Sequence, residues 1–220
     1  MLSFPESRLG SAQECPHCSE TLVVSPADSG TDGKLPVPIQ TQRLLLRPLR
    51  DDDLSDWLEL VTDEDSYKYF HFYAPSEEEA SSGFEQNRRL RPAQPNGHLA
   101  LGIQLQNEAK IIGGLWFYLT DPEEHRQGTF RIIIHPAFRG KGFGAEALMG
   151  LLDFGLNGLA MHDIRVTIDS ENKAGRRMAE RAGMKLEGEM TEERRIKGEW
   201  RSMAYYGMLA GWWQQKAASQ

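Results

Sequence analysis

Thirteen residues in the middle of the chain, Ile132-Ile133-Ile134-His135-Pro136-Ala137-Phe138-Arg139-Gly140-Lys141-Gly142-Phe143-Gly144, join an apolar β-branched run to a cationic glycine loop. The three isoleucines suit a short buried strand, and Pro136 ends its ladder. Beyond the loop, Ala147, Leu148, Leu151 and Leu152 recur at helical spacing, so the glycines open a helix. That arrangement aims the backbone N–H groups of Gly140, Lys141, Gly142, Phe143 and Gly144, the positive end of a helix dipole, and the side chains of Arg139 and Lys141 at one anion. The chemistry is phosphate binding. No Gly-x-x-x-x-Gly-Lys followed by Ser or Thr occurs, which removes a Walker A loop, and glycines at 140, 142 and 144 after a mid-chain strand do not spell a dinucleotide fingerprint. The pattern left is Arg-x-x-Gly-x-Gly, on Arg139, Gly142 and Gly144.

The elements that must position this loop are legible around it. Leu44 to Leu49 reads as a strand, and Asp51 to Asp53 supply acidic residues to the start of a helix whose Leu54, Trp57, Leu58 and Val61 share a face. Ser76 and Glu79 form a capping-box pattern for a helix to about Leu90, with a thin apolar face of Ala80, Phe84 and Leu90. Leu99 to Leu105 and Ile111 to Leu119 read as a hairpin, the loop strand follows, and the next helix runs to about Phe154. A strand over Ile164 to Ile168, a helix over Lys173 to Ala182 and two terminal strands complete the chain. Antiparallel strands first and a β-α-β unit later imply an α+β domain on a mixed, mostly antiparallel sheet of about seven strands flanked by helices.

At 220 residues and 40% hydrophobic content the chain can bury one substantial core. Residues 39–215 are read as that domain, and residues 1–38, rich in Ser, Pro, Gly and Asp, as a flexible extension. The longest apolar run, Ile111 to Leu119, is of strand length, so no membrane association is expected. Met1-Leu2-Ser3-Phe4-Pro5-Glu6 lacks the basic and apolar segments of a signal peptide, which points to the cytoplasm. A net charge of −7 argues against nucleic acid as a partner and suits a cationic substrate, although it is also ordinary for a soluble protein. The two cysteines, Cys15 and Cys18, form half a zinc knuckle. Three readings stay open: a draped tail, a zinc ion closed by four thiolates across a homodimer, and a redox pair. The six histidines show no metal-ligand spacing on one element.

Several segments, in order from about residue 40 to 213, resemble the GNAT superfamily of N-acetyltransferases. Arg139, Gly142 and Gly144 match its acetyl-CoA pyrophosphate loop. Thr41-Gln42-Arg43-Leu44-Leu45-Leu46-Arg47 resembles the opening of its ribosomal-protein-alanine N-acetyltransferase-like subfamily. Asn172 stands where the family has Asn-x-x-Ser, with Gly175 in place of Ser; Gly183-Met184-Lys185-Leu186-Glu187-Gly188 matches Gly-Phe-x-x-Glu-Gly with Met for Phe. Gly198-Glu199-Trp200 and Tyr205-Tyr206-Gly207-Met208-Leu209 resemble the last strand.

The resemblance implies the acyl-CoA N-acyltransferase fold and direct acetyl transfer from acetyl-CoA to a primary amine, either a protein or peptide N-terminus or a small amine. A CoA-binding sensor and an interaction protein organised by the cysteine knuckle are the rivals. It further implies a notch between Ile132–His135 and Ile164–Ile168 for the pantetheine arm, with the backbone N–H of Ile134 toward the thioester oxygen. Asn172 meets the cofactor arm or caps its helix, and Tyr206 is the candidate general acid. The family's acidic positions are Thr129 and Ser202 here, and Arg131 replaces a common glycine, so no general base is assigned. The aromatic segment around His71 lies where the acceptor cleft is lined.

Overall fold

The computed structural model describes residues 13–14, 21–22, 37–88, 98–121 and 125–217. The chain divides into two units, Met1–Leu35 and Pro36–Gln220. In the first, β1 (Gln13–Glu14) pairs antiparallel with β2 (Thr21–Leu22).

The second unit is built on one eight-stranded sheet. Its strands are β3 (Ile39–Gln40), β4 (Leu44–Arg47), β5 (His98–Leu105), β6 (Ile111–Asp121), β7 (Gln127–Ile134), β8 (Asp163–Asp169), β9 (Lys185–Ile196) and β10 (Glu199–Leu209), in the spatial order β3-β4-β5-β6-β7-β8-β10-β9. Every neighbouring pair is antiparallel except β7 with β8. The sheet is thus one strand larger than expected.

Helices cover both faces. On one side, α1 (Leu54–Val61) and α2 (Glu77–Arg88) enclose a cluster of Leu49, Trp57, Leu60, Val61, Tyr67, Phe84, Trp116 and Ile133. On the other side α3 (Phe143–Asp153) and α4 (Lys173–Ala182) pack together, with Ala147, Leu148, Leu151 and Leu152 all fully buried. Central strands with both faces covered read as near-continuous apolar runs, as β5 does.

Local signals explain most boundaries. The Ser76–Glu79 capping box forms, with Ser76 N–H donating to Glu79 at 2.8 Å and Glu79 N–H to Ser76 Oγ at 3.3 Å. Trp116 Nε1 donates to Asn87 at 3.1 Å, so α2 is anchored by more than its thin apolar face. In α1 the buried face is Trp57, Leu60 and Val61, and Leu54, expected inside, is 37% exposed. A 3-10 turn over Asp51–Asp53 precedes the helix and rotates Leu54 outward. β9 and β10 are joined by Lys197 and Gly198, both at positive φ (49° and 91°), the geometry of a two-residue hairpin turn. A further helix, α5 (Ala210–Ala217), was not expected; Trp213 Nε1 donates to Asp153 at 3.1 Å, and Lys216 Nζ donates to the C=O of Ala182 at 2.7 Å. That last contact places a cation on the C-terminal carbonyls of α4, where the helix dipole favours it.

Candidate active site

β7 and β8 pair only over Gln127–Thr129 with Asp163–Arg165, and then part. The antiparallel alternation shows what each lip offers. His135 N–H donates to Ile112 C=O at 2.9 Å, which makes Gly113/Ile134 a non-hydrogen-bonded pair and turns the N–H and C=O of Ile134 and Ile132 away from β6 toward the gap. On the opposite lip, Ser170 N–H donates to Ser202 C=O at 2.9 Å, and the same alternation aims the backbone of Thr167 at the gap. The notch therefore has the hydrogen-bonding character of a missing strand and suits a ligand carrying amides of its own.

The notch is the floor of a cleft of about 680 Å³. At one end lie Arg139, Gly140, Gly142, Phe143 and Gly144 with Asn172, Arg177 and Arg181; at the other lie Asp65, Tyr69, Phe70, His71 and Arg131 with the β9 tip, Arg194 to Ile196. Gly140 and Gly142 have φ of 77° and 84°, which L side chains rarely adopt, and Gly142 is the N-cap of α3. A Cβ on Gly144 would stand 3.1 Å from Met178 Sδ, so this glycine lets α3 approach α4. The glycine spacing thus serves a tight turn that opens α3 at the edge of the cleft.

The loop's side chains are used differently from expectation. Arg139, expected on the phosphate, instead ties the loop to the turn that holds Asp63 and Ser66: Nε donates to Ile134 C=O at 2.9 Å, and one terminal nitrogen donates to Asp63 at 3.1 Å and Ser66 Oγ at 2.6 Å. Burial pushes the Asp63 carboxyl up, but bonds from Ser66 and Arg139 hold it below its ordinary value. Lys141 is exposed, with Nζ 5.1 Å from the Phe138 ring. Arg177 and Arg181 of α4, spaced i, i+4 on one helix face, also line the cleft. That spacing was available in the sequence.

Asn172 caps α4, its Oδ1 accepting from Gly175 N–H at 2.9 Å, and it lines the cleft as well. A Cβ on Gly175 would meet the Asn172 side chain at 2.9 Å, so glycine here leaves the cap its room. Glu146 accepts from Thr41 Oγ1 at 2.7 Å, from Arg43 N–H at 2.7 Å and from Arg43 Nε at 2.6 Å. Arg43 also donates to Lys141 C=O at 3.2 Å and lies 4.5 Å over the Phe143 ring. The Thr41–Arg43 opening and Glu146 thus form one clamp behind the glycine loop. Burial raises the Glu146 carboxyl, and these donors more than offset it, so its pKa falls.

Tyr206 is corrected. It is 1% exposed; its hydroxyl donates to Glu180 at 2.8 Å and accepts from Arg176 Nε at 3.2 Å. Its cross-strand partner Val166 lines the cleft and Tyr206 does not. Burial first, then Glu180, keeps its hydroxyl protonated against the pull of Arg176. The side chain staples β10 to α4, a role that period-two alternation alone could not distinguish from a cleft position. Tyr205 points the other way, its hydroxyl donating to Glu193. Ser202 Oγ accepts from Glu192 N–H at 3.2 Å, within the β9–β10 ladder. Cys15 and Cys18 lie outside the described residues, among which no group of three or more metal-ligating side chains occurs.

An α+β sheet split at one parallel pair, with a glycine cradle at one end of the split and a pocket at the other, defines a protein that binds an extended phosphate-bearing ligand and presents its far end to a second molecule. Residues 43–185 match the Acetyltransferase (GNAT) domain family, and the chain belongs to it. It is an acetyl-CoA-dependent N-acetyltransferase. The chain is 27% identical over 177 residues, covering 80% of this chain and 98% of the relative, to the uncharacterized N-acetyltransferase YnaD of Bacillus subtilis. A Bacillus anthracis GNAT-family acetyltransferase superposes with a TM-score of 0.70 at 24% identity, covering 79% of this chain and 98% of the other. The Vibrio cholerae spermidine N-acetyltransferase, solved with CoA and spermine, gives 0.67 at 23% identity, covering 78% and 98%. At these identities the two structures establish the fold.

Proposed function

We propose that this chain acetylates a primary amine that enters from the α1–α2 face of the cleft, with a peptide or protein N-terminus as the favoured acceptor and a small amine as the second. The carrying observation is the parting of β7 from β8 with the Ile134 N–H turned into the gap. The amides of residues 140–144, with Arg177 and Arg181, would hold the cofactor pyrophosphate, and Asn172 and the backbone of Ile132 and Thr167 would hold its arm. Acetyl-CoA supplies the activated acyl group. Ile134 N–H would donate to the acyl oxygen and favour the charge that gathers there.

Two features support an N-terminal acceptor. The Thr41–Arg47 segment resembles the subfamily that acts on such amines, and its clamp to Glu146 is formed. The cleft also offers few bases, with His71 the imidazole in its described lining. Of its lining carboxylates, Asp169 is held by Arg201 at 2.9 Å and Asp65 lies in the turn at the rim. A lysine amine, with a pKa of about 10.4, needs more help to lose its proton than a chain N-terminus at about 7.7–8.0. CoA release, with mass analysis of product, on a peptide with a free N-terminus, the same peptide blocked there but carrying lysine, and simple amines tests the proposal. Acetylation of the free N-terminus is expected; saturable acetyl-CoA binding without turnover of any amine would instead favour the sensor reading. The two-copy zinc reading of Cys15 and Cys18 predicts zinc that co-purifies with the full chain and is absent from one starting at Ile39.

A further inference from the structure

Among the described residues Arg131 is a cation with no hydrogen-bond acceptor. It lies on β7, on the same face as Ile133, and lines the acceptor end of the cleft. Its guanidinium stacks 4.1 Å from the Trp116 ring, with Phe72 at 5.4 Å and Phe70 at 6.0 Å. Its Nε is buried without a hydrogen-bond partner, and no carboxylate or carbonyl among the described residues receives its other N–H groups. Of the other arginines in the cleft lining, Arg139 is bonded to Asp63, Arg195 Nε donates to Gly198 C=O at 3.2 Å and Arg194 lies beside Glu193 at 3.6 Å, while Arg177 and Arg181 stand on α4. The aromatic rings fix the plane of Arg131 and satisfy its faces, and its N–H edge is left for a guest.

The surroundings select the sign of that guest. The β9 tip, which brings Arg194 and Arg195, is held over this end by Lys197, whose Nζ donates to Tyr67 C=O at 2.9 Å and lies 4.8 Å from the Tyr73 ring. Against these cations stand Asp65 and Asp169 of the cleft lining, the latter paired with Arg201, and Glu193 beside Arg194, which leaves Arg131, Arg195 and Lys197 in excess. A chain with net charge −7 has therefore gathered positive charge at its acceptor end. A polycation would meet repulsion there, whereas an amine that also carries an anion would be bound by its anion, and the same positive field would favour its amine in the neutral, nucleophilic form.

We propose that the acceptor is an amine bearing a carboxylate or phosphate group, and that Arg131 is the specificity-determining residue that receives this anion. The proposal rests on the acetyl-transfer reading above. A planar guanidinium with a free edge meets a carboxylate or phosphate with two parallel N–H···O bonds, so the interaction is both charge-assisted and directional.

The test uses the full chain with acetyl-CoA and matched amine pairs: a dipeptide acid and its C-terminal amide, phosphoethanolamine and ethanolamine, with spermidine alongside. The anionic member of at least one pair is expected to exceed its neutral partner by about 10- to 100-fold in kcat/KM, and R131M to collapse that ratio, with R131K restoring part of it. The pair that responds tells carboxylate from phosphate. Equal rates within both pairs, spermidine as the best acceptor, or a ratio unchanged in R131M would overturn the proposal. If no amine is turned over while acetyl-CoA binds, the acetyl-transfer reading fails by itself. The charge preference is then read by calorimetric titration of acetylated dipeptide acid, against its amide, into the CoA-loaded protein. A response to the acid that R131M abolishes upholds it, and equal responses to acid and amide overturn it.

Discussion

Arg47 and Asp53 are each 3% exposed and form a two-point ion pair at 2.6 and 2.7 Å between the end of β4 and the turn that starts α1. Asp53 also accepts from Arg50 N–H at 2.6 Å, and Arg47 donates to Pro48 C=O at 3.0 Å. Burial opposes ionisation of Asp53, but Arg47 and the Arg50 N–H overcome it and lower its pKa. Replacing one partner strands the other as an uncompensated buried charge, so R47M or D53L should each cost about 3–5 kcal/mol. At about 2–4 °C per kcal/mol for a domain of this size, the midpoint of thermal unfolding should fall by roughly 6–20 °C. The double variant R47M/D53L removes both charges together and loses the acceptor of the Arg50 N–H and the donors to Gln104 and Pro48 C=O, about 1 kcal/mol each. Urea unfolding of wild type, both singles and the double should then give a coupling of at least about 3 kcal/mol, since single costs that are independent would simply add. Singles that cost under about 1 kcal/mol, or a double equal to the sum of its singles, would refute this reasoning.

Three further outcomes follow from the cleft and its clamp. A Cβ on Gly113 would lie 2.6 Å from Ile133 C=O and 2.9 Å from Ile134 Cδ1, so G113A should cost about 1–3 kcal/mol by calorimetry and raise KM for acetyl-CoA, because β7 can yield only into the notch. G142A forces a side chain into φ of 84° at the N-cap of α3; about 1–2 kcal/mol of stability should be lost, and acetyl-CoA affinity measured by calorimetric titration should fall with it. Glu146 has a folded-state pKa below its ordinary value of 4.5, so its contribution is fully present above about that pH and is lost as pH falls through the lowered value. Arg43 is 45% exposed and its share is screened, so E146Q should cost roughly 1 kcal/mol at pH 7, and the difference from wild type in urea unfolding should shrink on acidification below pH 4.5.

Local rules carried furthest where the signal was dense. The glycine loop, the Ser76–Glu79 box, the β5–β6 hairpin and α4, found at Lys173–Ala182 as expected, all rest on contacts within a few residues of sequence. What escaped depends on partners distant in sequence. Arg139 reads as a phosphate ligand until Asp63 and Ser66 appear beside it, and Tyr206 reads as a cleft residue until α4 places Arg176 and Glu180 against its hydroxyl. Arg131 was visible as a departure from the family, but its ring of Trp116, Phe70 and Phe72 is assembled from three separate segments. Helix α5 lacks an apolar periodicity of its own and is fixed by Trp213 on Asp153 and Lys216 on Ala182.

The central claim is that the gap between β7 and β8 holds the cofactor and opens its acyl end toward Arg131. A crystal structure of the full chain with CoA tests it most directly. The account predicts the pyrophosphate on the amides of residues 140–144, the arm between Ile132–Ile134 and Val166–Ile168, and its sulfur ending near Ile134 with the far side facing Arg131. CoA bound instead in the 540 Å³ hollow lined by Ile39, Glu146, Met149 and Trp213, or an arm lying outside the gap, would contradict it.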